Sequence, residues 1–462
     1  MASANPATDS TARSSKKRDA SDLQTNETES SADGSMNSRK IAKIHPFFSK
    51  QSQATSLSES SPFQWLKPSL GPKRTCLHGI NLSPPCLSKI AALDLDGTVI
   101  KSNHNNRGKG SALQWEWWRN VVPSKMRTLH EEGYSIVFIS NQALKSNQLT
   151  EWKKKIPLIA AALPDVPFRI FAACAKDGYR KPMPGMWYEL ERIFKEQGVE
   201  IDKASSFYVG DAAGRPDDFA STDRKWALNI GIPFYTPEEY FLKLPAASYN
   251  LPGFHVASLP EVEPVTPPNV AIIPNPPRQE LVIFTGYPCL GKSSFYRRHF
   301  SPVGYSHINQ DVLGSRPKCI KAAEEALKDK KSIVVGMYPL TRMPSILDRV
   351  QIDNTNRDVA TRKHYLDLAK KHGVPARCFD FAGPMELAWH NNLYRAYIEP
   401  VFDVDKPPRD ILPYVAFIGF RDNYEEPHTS EGFSEVVKIA WKFEGDEEAR
   451  RRWSMWLQID GK

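Results

Sequence analysis

The stretch Ile90-Ala91-Ala92-Leu93-Asp94-Leu95-Asp96-Gly97-Thr98 places two carboxylates directly after a short apolar run. A second stretch, Leu281-Val282-Ile283-Phe284-Thr285-Gly286-Tyr287-Pro288-Cys289-Leu290-Gly291-Lys292-Ser293, places a glycine-rich loop and a lysine after another such run. A short apolar run that ends in polar groups is typical of a buried strand of a parallel sheet, and ligands bind beyond the carboxyl ends of these strands. The sequence therefore predicts two α/β domains, each with its own site.

Length, cysteine usage and charge narrow the class of protein. The 462 residues leave room for two or three domains, and no apolar run approaches the ~20 residues that cross a bilayer, so we expect no membrane contact. The six cysteines form no C-x-x-C pair, which argues against a zinc site or a disulfide framework and fits a reducing compartment. A net charge of +8 is a mild excess that favours an anionic partner such as nucleic acid.

Composition shifts along the chain predict four parts. Residues 1–60 are rich in small polar and charged side chains and poor in aromatics, which predicts a disordered tail. Residues 61–247 and 279–462 each alternate short apolar runs with amphipathic stretches, which is typical of α/β domains. Between them, residues 248–278 are dense in proline and are expected to form a semi-extended linker.

Five polar residues of the first domain are expected to meet at one edge of its sheet. Asp94 follows the first apolar run, Ser140 and Asn141 follow a second, and Asp211 follows a third, while Lys181 supplies a cation between them. This order of an aspartate, a hydroxyl, a lysine and an acidic group resembles the haloacid dehalogenase superfamily, which has a Rossmann-like fold. The resemblance implies a phosphatase in which Ser140, Asn141 and Lys181 bind the phosphoryl group.

The chemistry of such a site assigns a role to each carboxylate. Asp94 would attack phosphorus and form an aspartyl-phosphate. Asp96 lies two residues on and faces the same side, so it would protonate the leaving oxygen and then deprotonate the attacking water. Asp94, Asp96 and Asp211 would hold Mg²⁺, which offsets the repulsion between carboxylate and phosphate. The gaps between these motifs leave little room for a cap domain, and an uncapped site is open enough for the end of a macromolecule.

The second stretch matches the pattern G-x-x-x-x-G-K-[ST] of a P-loop, from Gly286 through Gly291 and Lys292 to Ser293, with Ser294 following. In a P-loop the backbone N–H groups cradle nucleotide phosphates, the lysine neutralises them and the serine hydroxyl is a ligand of Mg²⁺. The pattern therefore predicts an ATP-dependent kinase of the P-loop NTPase fold.

Two further residues are candidates for the kinase site. Asp311 follows another short apolar run and is placed to accept the proton of an attacking hydroxyl, although an aspartate here would also serve as a helix cap. Arg395 would belong to a lid over the nucleotide phosphates, with a solvated helix charge as the alternative.

Together these motifs resemble the bifunctional polynucleotide kinase 3′-phosphatases, a family of DNA end-healing enzymes. The resemblance spans about residues 85–462 and rests on residues 94–98, 181–187, 210–216, 286–294, 311–315 and 353–356. It implies removal of 3′-phosphates and ATP-dependent phosphorylation of 5′-hydroxyls at DNA ends, with Mg²⁺, in the nucleus, where the basic cluster Lys16-Lys17-Arg18 would help to direct it. Two alternatives stay open: an RNA end-healing enzyme, and a DNA-end-binding protein that retains only the phosphatase.

The N-terminal tail departs from the family pattern. Animal members begin with a phosphopeptide-binding FHA domain, and residues 1–60 are too short and too polar for one. The tail carries Ile41, Ile44, Phe47 and Phe48 at the spacing of a sliding-clamp-binding motif, with Ile where Gln is usual. The motif either binds a clamp or has no function.

A second departure is a probable insertion of sixteen residues, 336–351, between Val334-Val335 and the family motif at 353–356. Gly336-Met337-Tyr338 can be encoded with the splice-donor sequence GTATGT, and Gln351 can be encoded by the acceptor end CAG. We hypothesise a retained intron that impairs the kinase; the rival interpretation is a genuine surface loop. Sequencing the spliced transcript distinguishes the two.

Deleting residues 336–351, which joins Val335 to Ile352, is expected to raise thermal stability and kinase activity without changing phosphatase activity. The segment contains Pro339 and Pro344, and a buried parallel strand accommodates neither proline nor a cluster of charges. A thermal melt and a 5′-phosphorylation assay check this, and a less stable or less active deletion variant would identify the segment as native.

Overall fold

The computed structural model describes residues 62–101, 113–336, 356–402 and 409–460, without the side chains of Asp311 and Phe402. The predicted disordered tail, its clamp-like motif and residues 337–351 of the predicted insertion lie outside the described residues. None of the described helices combines the length and the apolar character needed to span a membrane.

The first domain is a sheet of seven strands in the order β1-β2-β5-β4-β3-β6-β7. The strands are β1 Phe63–Trp65, β2 Cys76–Asn81, β3 Ile90–Leu93, β4 Ser135–Asn141, β5 Phe168–Ala173, β6 Phe207–Val209 and β7 Phe234–Tyr235. The helices are α1 Val122–Glu131, α2 Ser146–Ala161, α3 Gly185–Glu196, α4 Thr222–Ile230 and α5 Pro237–Leu242. Strands β3 to β7 are parallel, and β1 and β2 extend the sheet with antiparallel pairing.

The central strand β3 is apolar throughout because both of its faces are covered. Ala91 and Leu93 pack into one core cluster with α1 and α2, while Ile90 and Ala92 pack into the cluster on the other face with α3 and α4. A strand buried on both sides loses the alternation of apolar and polar residues that marks a half-exposed strand. This is why the residues of β3, directly before Asp94, form a continuous apolar run.

The second domain has a sheet of six strands in the order β10-β11-β9-β12-β13-β8. The strands are β8 Val265–Thr266, β9 Leu281–Gly286, β10 Ser306–Ile308, β11 Ile333–Val335, β12 Ala376–Ala382 and β13 Glu435–Ala440. The α-helices are α6 Lys292–Phe295, α7 Gln310–Leu313, α8 Arg316–Lys328, α9 Val359–His372, α10 Met385–Leu393, α11 Glu399–Phe402, α12 Tyr414–Arg421 and α13 Glu447–Trp453. Single π-helical turns follow α6 and α10, at Tyr296–Phe300 and Tyr394–Ile398.

Strand β9, which leads into the glycine-rich loop, is the counterpart of β3. Val282 and Phe284 face one core cluster, Leu281 and Ile283 face the other, and parallel neighbours β11 and β12 flank the strand. The chain therefore forms the predicted pair of α/β domains, each with a mostly parallel sheet.

The range predicted as a linker, 248–278, packs largely against the second domain. Strand β8 pairs with the edge of β13 in an antiparallel manner, and Val256 is buried in the core cluster of the second domain with Ile272 against it. The limits of the four predicted parts stay a prediction.

The two chain ends that flank the predicted insertion lie side by side. Strand β11 ends at Val335, and the amide of Asn356, where the described chain resumes, donates to the carbonyl oxygens of Val335 at 3.3 Å and Phe284 at 2.9 Å. The Asn356 side chain therefore lies next to the end of β11, and the insertion itself stays a prediction.

Candidate active sites

The first site lies at the carboxyl ends of three adjacent parallel strands. Asp94 follows β3, Ser140 lies near the end of β4, and Asp211 follows β6 by two residues. The backbone N–H of Asp94 donates to the carbonyl oxygen of Val209 at 2.8 Å, which keeps the two strand ends together beyond the last ladder pair. The sheet order thus brings together three residues that the sequence predicted to meet.

Lys181 is the centre of this site. Its side chain is 2% exposed, and its ammonium lies 2.5 Å from Asp94 Oδ1 and 2.7 Å from Asp223 Oδ1. It also donates to the carbonyl oxygen of Ile139 at 3.0 Å. Burial disfavours the charged amine, but Asp223 and Asp94 outweigh this effect, so the pKa of Lys181 is raised and the ammonium form persists.

Three carboxylates form a cluster with the ligand chemistry of a divalent metal. Asp94, Asp211 and Asp223 each offer an oxygen, and these oxygens lie within 4.8 Å of one another. Burial raises the pKa of Asp94 well above its ordinary value, and burial together with Asp223 raises the pKa of Asp211 to about 7. A hard cation with oxygen ligands, such as Mg²⁺, would offset this repulsion and favour the ionised carboxylates, so the cluster fits it.

Asp96, a predicted proton donor and metal ligand, is not part of this carboxylate cluster. Its Oδ2 accepts a hydrogen bond of 2.5 Å from Gln142, whose amide also donates to the Ser140 hydroxyl at 3.0 Å. Gln142 therefore links the side chains of Asp96 and Ser140 across the site. The roles of these two residues stay predictions.

Asn141, a predicted phosphate-binding residue, contacts the backbone of Lys181. Its Oδ1 accepts from the N–H of Lys181 at 2.9 Å, and its Nδ2 donates to the carbonyl oxygen of Lys181 at 3.2 Å. Asn141 thus orients the lysine, while contact of Asn141 with phosphate stays a prediction.

The second site is the loop between β9 and α6. Gly286 has φ 128°, and a Cβ there would lie 2.7 Å from the carbonyl oxygen of Phe381; Gly291 has φ 85° at the start of α6. Both positions therefore require glycine. Lys292 is buried, and its ammonium donates to the carbonyl oxygens of Gly286 at 2.7 Å and Tyr287 at 2.6 Å, which folds the loop around it. Ser293 and Ser294 follow in the first turn of α6.

Arg395 lies against this loop, together with a second arginine. Burial raises the pKa of the Cys289 thiol, and the charges of Arg395, Lys292 and Arg409, with a hydrogen bond from Arg395, oppose the rise. Burial lowers the pKa of the Arg409 guanidinium, and the nearby charge of Arg395 lowers it further. Three cations thus lie near Cys289 in one loop, and their combined positive charge suits a polyphosphate.

Asp311 lies in α7, directly after strand β10. Because β10 and β11 run parallel to β9 in the same sheet, Asp311 and the glycine-rich loop lie at the same edge. Its role as a base stays a prediction.

Three site residues were missed from the sequence: Asp223, Gln142 and Arg409. Asp223 is one of several aspartates that follow Gly210, and nothing in its spacing distinguishes it. Gln142 follows the predicted Ser140-Asn141 pair directly, so an extension of that motif by one residue would have included it. Arg409 lies far from the glycine-rich loop in sequence, and no local pattern marks it.

Comparison with known proteins finds a family match in each domain. Residues 89–241 match the family described as Polynucleotide kinase 3 phosphatase, and residues 281–406 match the family described as AAA domain. The "Bifunctional polynucleotide phosphatase/kinase" of Schizosaccharomyces pombe is 36% identical over 80% of this chain and 83% of its own length. A "Putative bifunctional polynucleotide phosphatase/kinase" of Acanthamoeba polyphaga mimivirus is 30% identical over 80% and 89% of the two chains. The "Polynucleotide 3'-phosphatase ZDP" of Arabidopsis thaliana is 36% identical over 33% of this chain and 24% of its own.

The relatives from Schizosaccharomyces pombe and the mimivirus cover both domains, and they are matched over most of their own length. The protein belongs to the bifunctional polynucleotide phosphatase/kinase family.

Proposed function

We propose that this protein heals broken DNA ends, removing 3′-phosphates in its first domain and phosphorylating 5′-hydroxyls with ATP in its second. The observation that carries the proposal is the ion pair of Lys181 with Asp94, a member of a three-carboxylate cluster, in one chain with a glycine-rich loop that has three cations near Cys289. Two opposite phosphate chemistries are useful together on a polymer because each acts on a different end of a break.

In the phosphatase reaction, an Asp94 oxygen forms a bond to phosphorus as the bond to the 3′-oxygen of the sugar breaks. Asp96, held by Gln142, gives its proton to that oxygen and later takes one from the water that attacks the aspartyl-phosphate. Ser140 and Lys181 bind the phosphoryl oxygens. Asp94, Asp211 and Asp223 would hold Mg²⁺, which would supply positive charge against the repulsion between carboxylate and phosphate.

In the kinase reaction, the 5′-hydroxyl oxygen forms a bond to the γ-phosphorus of ATP as the bond to the β-phosphate oxygen breaks. Asp311 accepts the hydroxyl proton. Lys292, Arg395 and Arg409 bind the phosphates and stabilise the charge that gathers on the leaving ADP. Ser293 is the ligand through which Mg²⁺ would be held.

The test uses the purified full chain with four oligonucleotides: DNA and RNA of one sequence, each with a 3′-phosphate or a 5′-hydroxyl end. Phosphate release with Mg²⁺, and transfer from labelled ATP, are both expected on DNA with higher kcat/KM than on RNA. Higher activity on the RNA ends would overturn the choice of DNA, and absence of either activity would overturn the bifunctional assignment.

The missed residue Asp223 gives a prediction for the metal site. Asp223→Asn removes one charge from the cluster and weakens the ion pair with Lys181, so the Mg²⁺ concentration for half-maximal phosphatase activity is expected to rise by about tenfold or more. A Mg²⁺ titration of phosphate release from a 3′-phosphate DNA end measures this.

Asp218→Asn is the matched control, because Asp218 lies in the same acidic stretch but caps the backbone N–H groups of Ala213 and Arg215 at 3.0 Å. An unchanged Mg²⁺ requirement in Asp223→Asn would remove Asp223 from the metal site.

We also propose a nuclear location, as DNA-end repair requires. Binding of a sliding clamp through Ile41, Ile44, Phe47 and Phe48 stays a prediction.

A further inference from the structure

The last described residues of the second domain, 454–460, lie against the first domain; we call them the C-terminal segment. Along this segment, successive side chains point alternately into the second domain and toward the first domain. Met455, Leu457 and Ile459 are buried in the core cluster of the second domain, which also takes in Met183 from the first domain. Trp456 lies against α4 of the first domain, with its ring 4.8 Å from the Lys225 ammonium.

Asn229, in α4, links the two domains through its side-chain amide. Its side-chain Oδ1 accepts from the backbone N–H of Trp456 at 2.7 Å, and its Nδ2 donates to the carbonyl oxygen of Trp456 at 2.9 Å. The same Nδ2 donates its other hydrogen to the carbonyl oxygen of Pro182 at 2.8 Å. Asn229 is only 3% exposed, so no water replaces these bonds.

Pro182 directly follows Lys181, the centre of the phosphatase site. The backbone of Lys181 is held by Asn141, and the next carbonyl oxygen is held by Asn229. Two asparagines therefore fix the dipeptide that aims the Lys181 ammonium at Asp94, and the second of them is itself bound to the other domain.

Other contacts from the second domain reach helix α4 and the loop of residues 176–183, which carries Lys181. Lys176 forms an ion pair of 2.8 Å with Asp460, and a Cβ on Gly178 would lie 3.0 Å from the ring of Tyr397. Lys225, fully buried in α4, donates to Gln458 Oε1 at 2.9 Å. The loop of residues 176–183 thus packs against the second domain at both of its ends.

We propose that the C-terminal segment of the kinase domain positions Lys181, and that Asn229 is the positioning residue that transmits this contact to the phosphatase site. The inference rests on the proposed phosphatase function. If Pro182 loses its partner, the Lys181 ammonium moves relative to Asp94, and small displacements of a catalytic group lower the rate strongly. The 5′-kinase site, which lies at the glycine-rich loop, does not depend on Asn229.

The test is Asn229→Asp in the full chain. The substitution keeps the shape and the acceptor for Trp456 N–H, but it replaces the donor that serves the Pro182 and Trp456 carbonyl oxygens with a second acceptor. Phosphatase kcat is expected to fall by roughly tenfold or more. KM is expected to change far less, because the substitution removes no side chain that is proposed to bind the DNA end, and kinase activity should stay within about twofold of the wild type.

Asn81→Asp is the matched control. Asn81 in β2 is also fully buried in the first domain, and its Nδ2 likewise donates to two carbonyl oxygens, of Val166 at 2.9 Å and Leu163 at 3.5 Å. It contacts neither Lys181 nor the second domain through these bonds. The control is expected to lower the melting temperature while leaving phosphatase kcat, measured well below that temperature, close to the wild-type value.

A second variant covers the case in which Asn229→Asp does not fold. The double substitution Trp456→Ala with Gln458→Ala removes only half-buried side chains that contact α4, and it is expected to lower phosphatase kcat in the same direction. A wild-type phosphatase kcat in both Asn229→Asp and the double variant would overturn this inference but not the proposed function. An equal loss of phosphatase kcat in Asn81→Asp would do the same. A wild-type chain that releases no phosphate from 3′-phosphate ends would overturn the proposed function and this inference together.

Discussion

Asp94→Asn is expected to lower phosphate release from 3′-phosphate DNA ends by at least about 10⁴-fold, because the amide oxygen is not a nucleophile and the covalent step has no substitute. The substitution also removes the charge that pairs with Lys181 at 2.5 Å, so both partners of the central contact lose their function. Single-turnover release of phosphate from a 3′-phosphate oligonucleotide measures the effect.

The second activity of the chain is the internal control for this variant. ATP-dependent 5′-phosphorylation should stay near the wild-type rate, since Asp94 lies in the first domain and the glycine-rich loop in the second. Phosphatase turnover retained in Asp94→Asn would remove the aspartyl-phosphate from the mechanism.

Lys292→Ala is expected to lower 5′-phosphorylation by at least about 10²- to 10³-fold. The lysine charge is needed where negative charge gathers on the leaving phosphates, and its ammonium also holds the loop by donating to the carbonyl oxygens of Gly286 and Tyr287. Transfer of labelled phosphate from ATP to a 5′-hydroxyl DNA end is the measurement.

Lys321→Ala, at an exposed position of α8, serves as the matched control and should leave both activities unchanged. Phosphatase activity should survive in Lys292→Ala, since none of the described contacts of the C-terminal segment involves Lys292. Loss of both activities in Lys292→Ala, with the fold intact, would show that the two sites are coupled through the nucleotide.

The strand-end residues of both sites were predictable from the sequence. Asp94, Ser140 and Asp211 follow apolar runs, and a parallel sheet brings the carboxyl ends of such runs to one edge whatever the length of the helices between them. The glycine-rich loop was predictable for a related reason, since Gly286 and Gly291 occupy backbone conformations that other residues rarely adopt.

Residues that reach a site from a helix were not predictable in this way. Asp223 enters the carboxylate cluster from the first turn of α4, while Asp218, five residues earlier, caps backbone N–H groups. Both are aspartates in one acidic stretch, and only the path of the chain between them separates a proposed metal ligand from a cap. The same holds for Arg409, whose approach to the glycine-rich loop depends on how α11 and α12 are placed.

Contacts between the domains could not be predicted from the sequence, for a third reason. Eight prolines from Pro252 to Pro277 predicted a linker, but proline also suits the edge of a sheet, where β8 lies. The alternating pattern of residues 453–460 predicts an extended segment, and nothing in it identifies a helix more than two hundred residues earlier as its partner.

The bonds between Asn229 and Trp456 have a consequence for how the chain is made. They join positions 227 residues apart in sequence. At about 5–20 residues per second of translation, the first domain would wait roughly 10 to 45 s for the backbone that binds Asn229. Until then its Lys181 loop lacks the partner found in the finished protein, so a premature stop codon anywhere in the second half of the gene would leave the first enzyme incomplete as well.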